Sequence, residues 1–87
     1  MKFVVFAEEG VWVAHGLERN MVAHGESLSE VSENAISLHN AYDAQGLTFR
    51  PLPAVRAYWL LYDLAGCSVG DYLFGSGSDN GVFRLDT

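Results

Sequence analysis

Residues Trp12 to Glu30 read WVAHGLERNMVAHGESLSE, and the fold of the chain turns on how that stretch is parsed. Val-Ala-His-Gly occurs in it twice, at 13–16 and 22–25. Two short apolar segments, Val11 to Leu17 and Met21 to His24, flank the polar Glu18-Arg19-Asn20, and Asn20 tolerates the left-handed backbone of a tight turn. They read as the second and third strands of a sheet, joined as a hairpin. Gly16 and Gly25 stand where a bulge or a close backbone approach is tolerated. Ser27-Leu28-Ser29-Glu30 follows at once and matches a capping box. In that motif the Ser27 hydroxyl accepts from the N–H of Glu30, and the Glu30 carboxylate accepts from the N–H of Ser27. From there Leu28, Val31, Ala35, Leu38 and Tyr42 recur at helical spacing, an apolar stripe along one face. Gly46 supplies a helix-ending C-cap.

Working outward, Lys2 to Ala7 (KFVVFA) is a first strand, closed by the turn signal Glu8-Glu9-Gly10. Leu47 to Arg50 reads as a short fourth strand, stopped by Pro51 and Pro53. Ala54 to Ala65 carries Val55, Tyr58, Leu61, Tyr62 and Ala65 at helical spacing and ends at Gly66, so a second helix is expected. Trp59 and Leu60 widen its apolar face, which fits burial on two sides or contact with another chain. Tyr72 to Phe74 and Val82 to Leu85 bracket a Gly/Ser-rich stretch, the pattern of a hairpin with a loop or of a flexible tail. The expected architecture is α+β, in the order β-β-β-α-β-α. A three- or four-stranded antiparallel sheet is covered by a helix. Residues 1–66 form the domain and 67–87 a C-terminal extension of it.

Composition limits the function. The chain has 87 residues, 49% of them hydrophobic, enough for one compact core. Five basic residues against eleven acidic ones give a net charge of -6. Lys2, Arg19, Arg50, Arg56 and Arg84 are scattered singly, without the basic patch that direct nucleic-acid binding needs. Acidic surfaces instead steer basic partners. The single Cys67 cannot close an internal disulfide, no apolar run is long enough for a membrane span, and the start does not read as a signal peptide. A cytoplasmic protein is the expectation.

Catalytic readings are weak. With a two-residue loop at Arg19-Asn20, His15 would pair with His24, but a zinc site needs further ligands that His39, Glu26 and Cys67 do not supply at any recognisable spacing. Metal-dependent hydrolysis needs several convergent carboxylates, and the strand interiors carry none. Cys67 reads as an inert thiol. Gly75, Gly77 and Gly81 lack the Lys-Ser/Thr and the helix of a phosphate loop. No catalytic, metal or cofactor residues are assigned, and the chain is not expected to be an enzyme.

Phe3 to Ala7, Trp12-Val13-Ala14, Leu17-Glu18, Val22-Ala23, and Gly25 followed by Ser27 to Val31 and Glu33-Asn34-Ala35 together resemble HicB-type antitoxin domains. The resemblance covers roughly residues 2–45, and Pro51 to Trp59 is similar to a Pro-rich segment ending in Tyr-Trp that some members carry. It implies a partial ribonuclease-H-like fold without nuclease activity, and a role as inhibitor of a small basic RNA-cleaving toxin of the HicA type. Two departures stand out. His24 occupies the family's Gln position, and residues 66–87 are too short, Gly/Ser-rich and acidic for a C-terminal DNA-binding module. Under this reading Glu8, Glu9, Glu18, Glu30 and Glu33 compete for the toxin's cationic groups, with Trp59 as an interface anchor. Two alternatives use the same fold: a mobile-element inhibitor of another nucleic-acid-processing complex, or a homo-oligomeric module such as a homodimer.

Overall fold

Phe3, Val4 and Val5 are consecutive, and all three are fully buried. Neighbouring side chains on a strand point to opposite faces, so this requires a sheet covered on both sides. The computed structural model describes residues 1–44 and 54–87. In chain order it holds β1 (Lys2–Glu8), β2 (Val11–Gly16), β3 (Val22–Gly25), α1 (Leu28–Ala44), α2 (Arg56–Leu64), β4 (Cys67–Ser68), α3 (Val69–Leu73) and β5 (Val82–Asp86). Among the described residues five strands form one sheet in the order β3-β2-β1-β5-β4. Every pairing is antiparallel except that of β4 with β5.

The α+β architecture is as the sequence implies, a mostly antiparallel sheet with helices packed against it. Phe3, Val5, Ala14, Ala23 and Phe83 face α1, which inserts Leu28, Val31 and Ala35, and α3, which inserts Val69. Leu38 and Tyr42 complete the expected α1 stripe at partial burial. On the other face Val4 packs with Leu17, Ala54 and Tyr62, flanked by Phe6, Tyr58, Trp59 and Leu61. The first half of the capping box forms, with Glu30 N–H donating to Ser27 Oγ at 3.1 Å. The return bond goes one residue further back, because the Glu30 carboxylate accepts from Glu26 N–H at 3.3 Å. Gly25 makes the tight entry to α1 feasible, since a Cβ there would lie 2.5 Å from the Val31 nitrogen.

Two expectations are corrected, and the conditional pairing of His15 with His24 does not form. The β2–β3 connection is not a two-residue loop. Gly16 N–H donates to Met21 O at 2.8 Å, and the register pairs His15 with Val22 and Val13 with His24. Leu17 causes the difference. Its side chain is fully buried in the second cluster, while its backbone bonds Lys2 and Ala54 instead of continuing the ladder. Next, Tyr72 to Phe74 does not form a hairpin with Val82 to Leu85. Ser68 caps α3 by accepting from Asp71 N–H at 3.1 Å, so 72–73 end a helix, and Val82–Asp86 pairs with β1. Finally, the sheet exceeds three or four strands because β4 and β5 join it. The fourth strand expected at Leu47 to Arg50, with Gly46, Pro51 and Pro53, lies outside the described residues.

The register also defines two ends of the sheet. Glu8 opposite Val11, Trp12 opposite Gly25 and Phe6 opposite Val82 put the β1–β2 turn, the entry to α1 and the start of β5 at one end, the turn end. Lys2 opposite Asp86 and the Met1–Thr87 hydrogen bonds mark the other, the terminal end. Helix α1 runs back to the terminal end, where Asp43 meets Arg19 at 3.1 Å. Helix α2 starts at that end, through Ala54 N–H donating to Leu17 O, and finishes where Asn80 donates to Leu64 O. Among the described residues no helix is long and apolar enough to cross a membrane.

Two phenylalanines on neighbouring elements should respond oppositely to truncation. Phe83 is 1% exposed and Phe74 is 90% exposed. Phe83→Ala should cost about 3–5 kcal/mol in urea unfolding, and Phe74→Ala should stay within about 0.5 kcal/mol of wild type.

Candidate functional site

The turn end is built from connections, and each places a carboxylate. Glu9 and Gly10 form the two-residue β1–β2 loop, with φ of 52° and 80°. Positive φ at both positions is what a type I′ hairpin turn needs, because its twist matches that of the strands. Asn-Gly satisfies this at little steric cost, whereas glutamate has no such dispensation. Glu8 ends β1 beside it. Glu26 lies between β3 and α1, Glu30 in the first turn of α1, and Glu33 one turn on, all exposed. The N–H groups at the start of α1 make negative charge tolerable there. Asp79 precedes β5 at the same end and accepts from Gly81 N–H at 2.8 Å.

Basic residues lie elsewhere. Lys2 and Arg19 are at the terminal end, as is Arg56 at the start of α2. Arg84 spans the last turn of α2, donating to Tyr62 O at 2.9 Å and Asp63 O at 3.1 Å. A guanidinium there complements the negative end of the helix, which has no basic residue in its own last turn. Among the described residues both ion pairs, Arg19–Asp43 and His39–Asp43, sit at the terminal end. Among the described residues charge is thus polarised: the turn end is dominated by carboxylates, with Arg84 taken up by the last carbonyls of α2, and the terminal end is mixed.

Of the six residues singled out in the sequence, the fold gathers Glu8, Glu9, Glu30 and Glu33 toward the turn end. Glu18 is at the terminal end, where it accepts from Lys2 N–H at 2.8 Å. Trp59 is half-buried against the second core cluster. The more exposed apolar positions of α2 are Leu60, at 49%, and Leu64, at 69%. Sequence reasoning missed Glu26 and Asp79, which join the acidic end only because the register brings their connections together.

The histidines are separated by function as well as register. His15 is buried, stacks on Tyr58 at 3.8 Å between ring centroids, and places Nε2 2.6 Å from Asn20 Oδ1. His24 is exposed. Among the described residues no three His, Cys, Asp or Glu side chains converge as a metal site. Burial pushes the Cys67 thiol up from its ordinary range, and Asp71 and Asp79 add to the shift. A raised pKa disfavours the thiolate that nucleophilic chemistry requires. Tyr62 is held between cations: the Arg84 guanidinium lies 5.0 Å and Lys2 Nζ 5.6 Å from its ring centroid. Its hydroxyl donates to Asp86 Oδ1 at 2.7 Å. Burial, then that bond and the Asp86 charge, push its pKa to about 12.

Compared with known proteins, the chain matches no family model, no curated protein and no solved structure.

Two outcomes follow from this geometry. Glu9→Asn should raise stability by roughly 0.5–1 kcal/mol in chemical denaturation, by relieving the left-handed strain. In a phenolate absorbance titration one of the four tyrosines should ionise late, at about pH 12. The sign follows from linkage. The folded pKa lies above the unfolded 10.0, so the stabilisation is complete below pH 10 and lost as pH rises through about 12. Tyr62→Phe should remove that late step.

Proposed function

We propose that this chain is an antitoxin-like inhibitor that binds a small basic RNA-cleaving protein and covers its RNA-contacting surface. The observation that carries the reading is the segregation of charge. Glu8, Glu9, Glu26, Glu30 and Asp79 share one end of the sheet, and the described cation that reaches the end of α2 there, Arg84, is taken up by the last carbonyls of that helix. Such a pole presents carboxylates where a ribonuclease expects phosphates, and it orients an approaching cationic surface before contact. The backbone at Glu9 supports the same reading. A glutamate kept at a left-handed position, where asparagine or glycine fits better, trades local stability for charge at the tip of the hairpin. The resemblance of residues 2–45 to HicB-type domains supplies the partner class, a HicA-like toxin, and the inhibitory role.

The test is co-expression with the product of the adjoining reading frame. That product should be small and basic, arrest growth alone, and be neutralised by this chain. The purified pair should associate at least tenfold more slowly at high than at low ionic strength, with the Glu8→Lys, Glu9→Lys double variant losing most of the salt dependence. An adjoining product that is neither toxic nor bound, or an association rate indifferent to salt, would overturn the proposal.

A further inference from the structure

Helix α3 ends in an exposed apolar pair. Leu73 is 52% and Phe74 90% exposed, although the segment that carries them is firmly held. Val69 is buried in the core, and the Tyr72 ring packs on Phe83 at 4.8 Å between centroids. Phe74 N–H donates to Gly70 O, Gly75 N–H to Tyr72 O, and Ser76 N–H to Asp71 O, each at 2.9–3.0 Å. The backbone that presents Phe74 is fixed in this way, so only the side chain remains to be ordered on binding. Its surroundings are acidic. Between Arg56 and Arg84 the chain carries Asp63, Asp71 and Asp79 and no basic residue. Asp71 stands on α3 three residues before Phe74, and Asp79 lies between Ser78 and Asn80, both of which lie against Gly66 just before β4. The Trp12 and Tyr72 rings flank Phe83, which joins α3 to the turn end through one aromatic row.

We propose, building on the basic-partner reading above, that Leu73 and Phe74 are the apolar anchor by which this chain docks on a basic protein, entering an apolar pocket bordered by lysine or arginine. Charge complementarity selects that occupant. A two-fold contact with a second copy would bring the same acidic patch from both copies into one interface, and the added like charge opposes that arrangement. A basic partner meets the anchor with its apolar groups and the flanking aspartates with its cations. Carboxylates alone would accept any cation. The anchor adds a requirement for apolar surface, and so discriminates among basic proteins.

The experiment uses the full chain and two defined probes of equal charge: an amphipathic lysine–leucine peptide and a lysine–serine peptide, titrated calorimetrically at low salt. Wild type should bind the lysine–leucine peptide more tightly. Phe74→Ser should weaken that binding roughly 10- to 100-fold, leave lysine–serine binding unchanged, and leave the melting temperature unchanged. Phe74→Leu should restore most of the loss. If Phe74→Ser binds both peptides as wild type does, while Glu8→Lys, Glu9→Lys weakens both, the anchor is overturned and the basic-partner reading stands. If wild type binds neither peptide, the basic-partner reading itself fails. A wild-type dimer that Phe74→Ser dissociates would assign the surface to a second copy and overturn the proposal.

Discussion

Burial of β1 on both faces is the constraint from which the remaining structure follows. Phe3 and Val5 point one way and Val4 and Phe6 the other, so neither side of the sheet can be left to water. One helix cannot cover two faces. Helix α1 takes the first and α2 the second. A doubly buried strand also needs hydrogen-bonding partners on both edges. The hairpin supplies β2 on one edge, and β5, from the far end of the chain, supplies the other.

That arrangement separates a dry centre from two ends made of connections, and charge resides at those ends and on the solvent faces of the helices. Arg84 shows the cost of placing a cation nearer the middle: its guanidinium is spent on the last carbonyls of α2 and on the Tyr62 ring. The carboxylates of the turn end carry no comparable structural duty apart from the cap at Glu30 and the turn at Asp79. The proposed recognition surface draws on this charge, concentrated on one pole with few structural tasks, and on the exposed Phe74. Stability here comes from the core and from hydrogen-bonded connections such as Asn80, which bonds Leu64, Gly66 and Val82.

Local signals in the sequence were legible where one physical cause acted alone. The α1 stripe and the bond from Glu30 N–H to Ser27 depend on residues within one or two helical turns, and they form as the pattern implies. Tyr72 to Phe74 was misread because three apolar residues in a row fit a strand as well as a helix end. The deciding signal was Ser68 with Asp71 three residues later, a cap outside the apolar run. The length of the hairpin loop is not legible for a different reason: Leu17 looks like the end of a strand, yet the second core cluster needs it as a buried side chain. The run Phe3-Val4-Val5-Phe6 did hold the information that both faces would be covered, since a half-exposed strand would alternate with polar residues.

For the candidate surface, the sequence by itself determined the composition: an excess of carboxylates, scattered cations, and apolar residues after the second helix. Those properties depend on covalent order alone. Only the tertiary structure decided which charges share an end. Glu8, Glu26 and Asp79 are far apart along the chain and come together because antiparallel register returns each connection to the same edge. It also decided that Phe83 is interior and Phe74 exterior, although both are phenylalanines in the same short segment. The reason is that burial is assigned by pairing and packing between distant elements, and a one-residue change of register or a single cap redirects it.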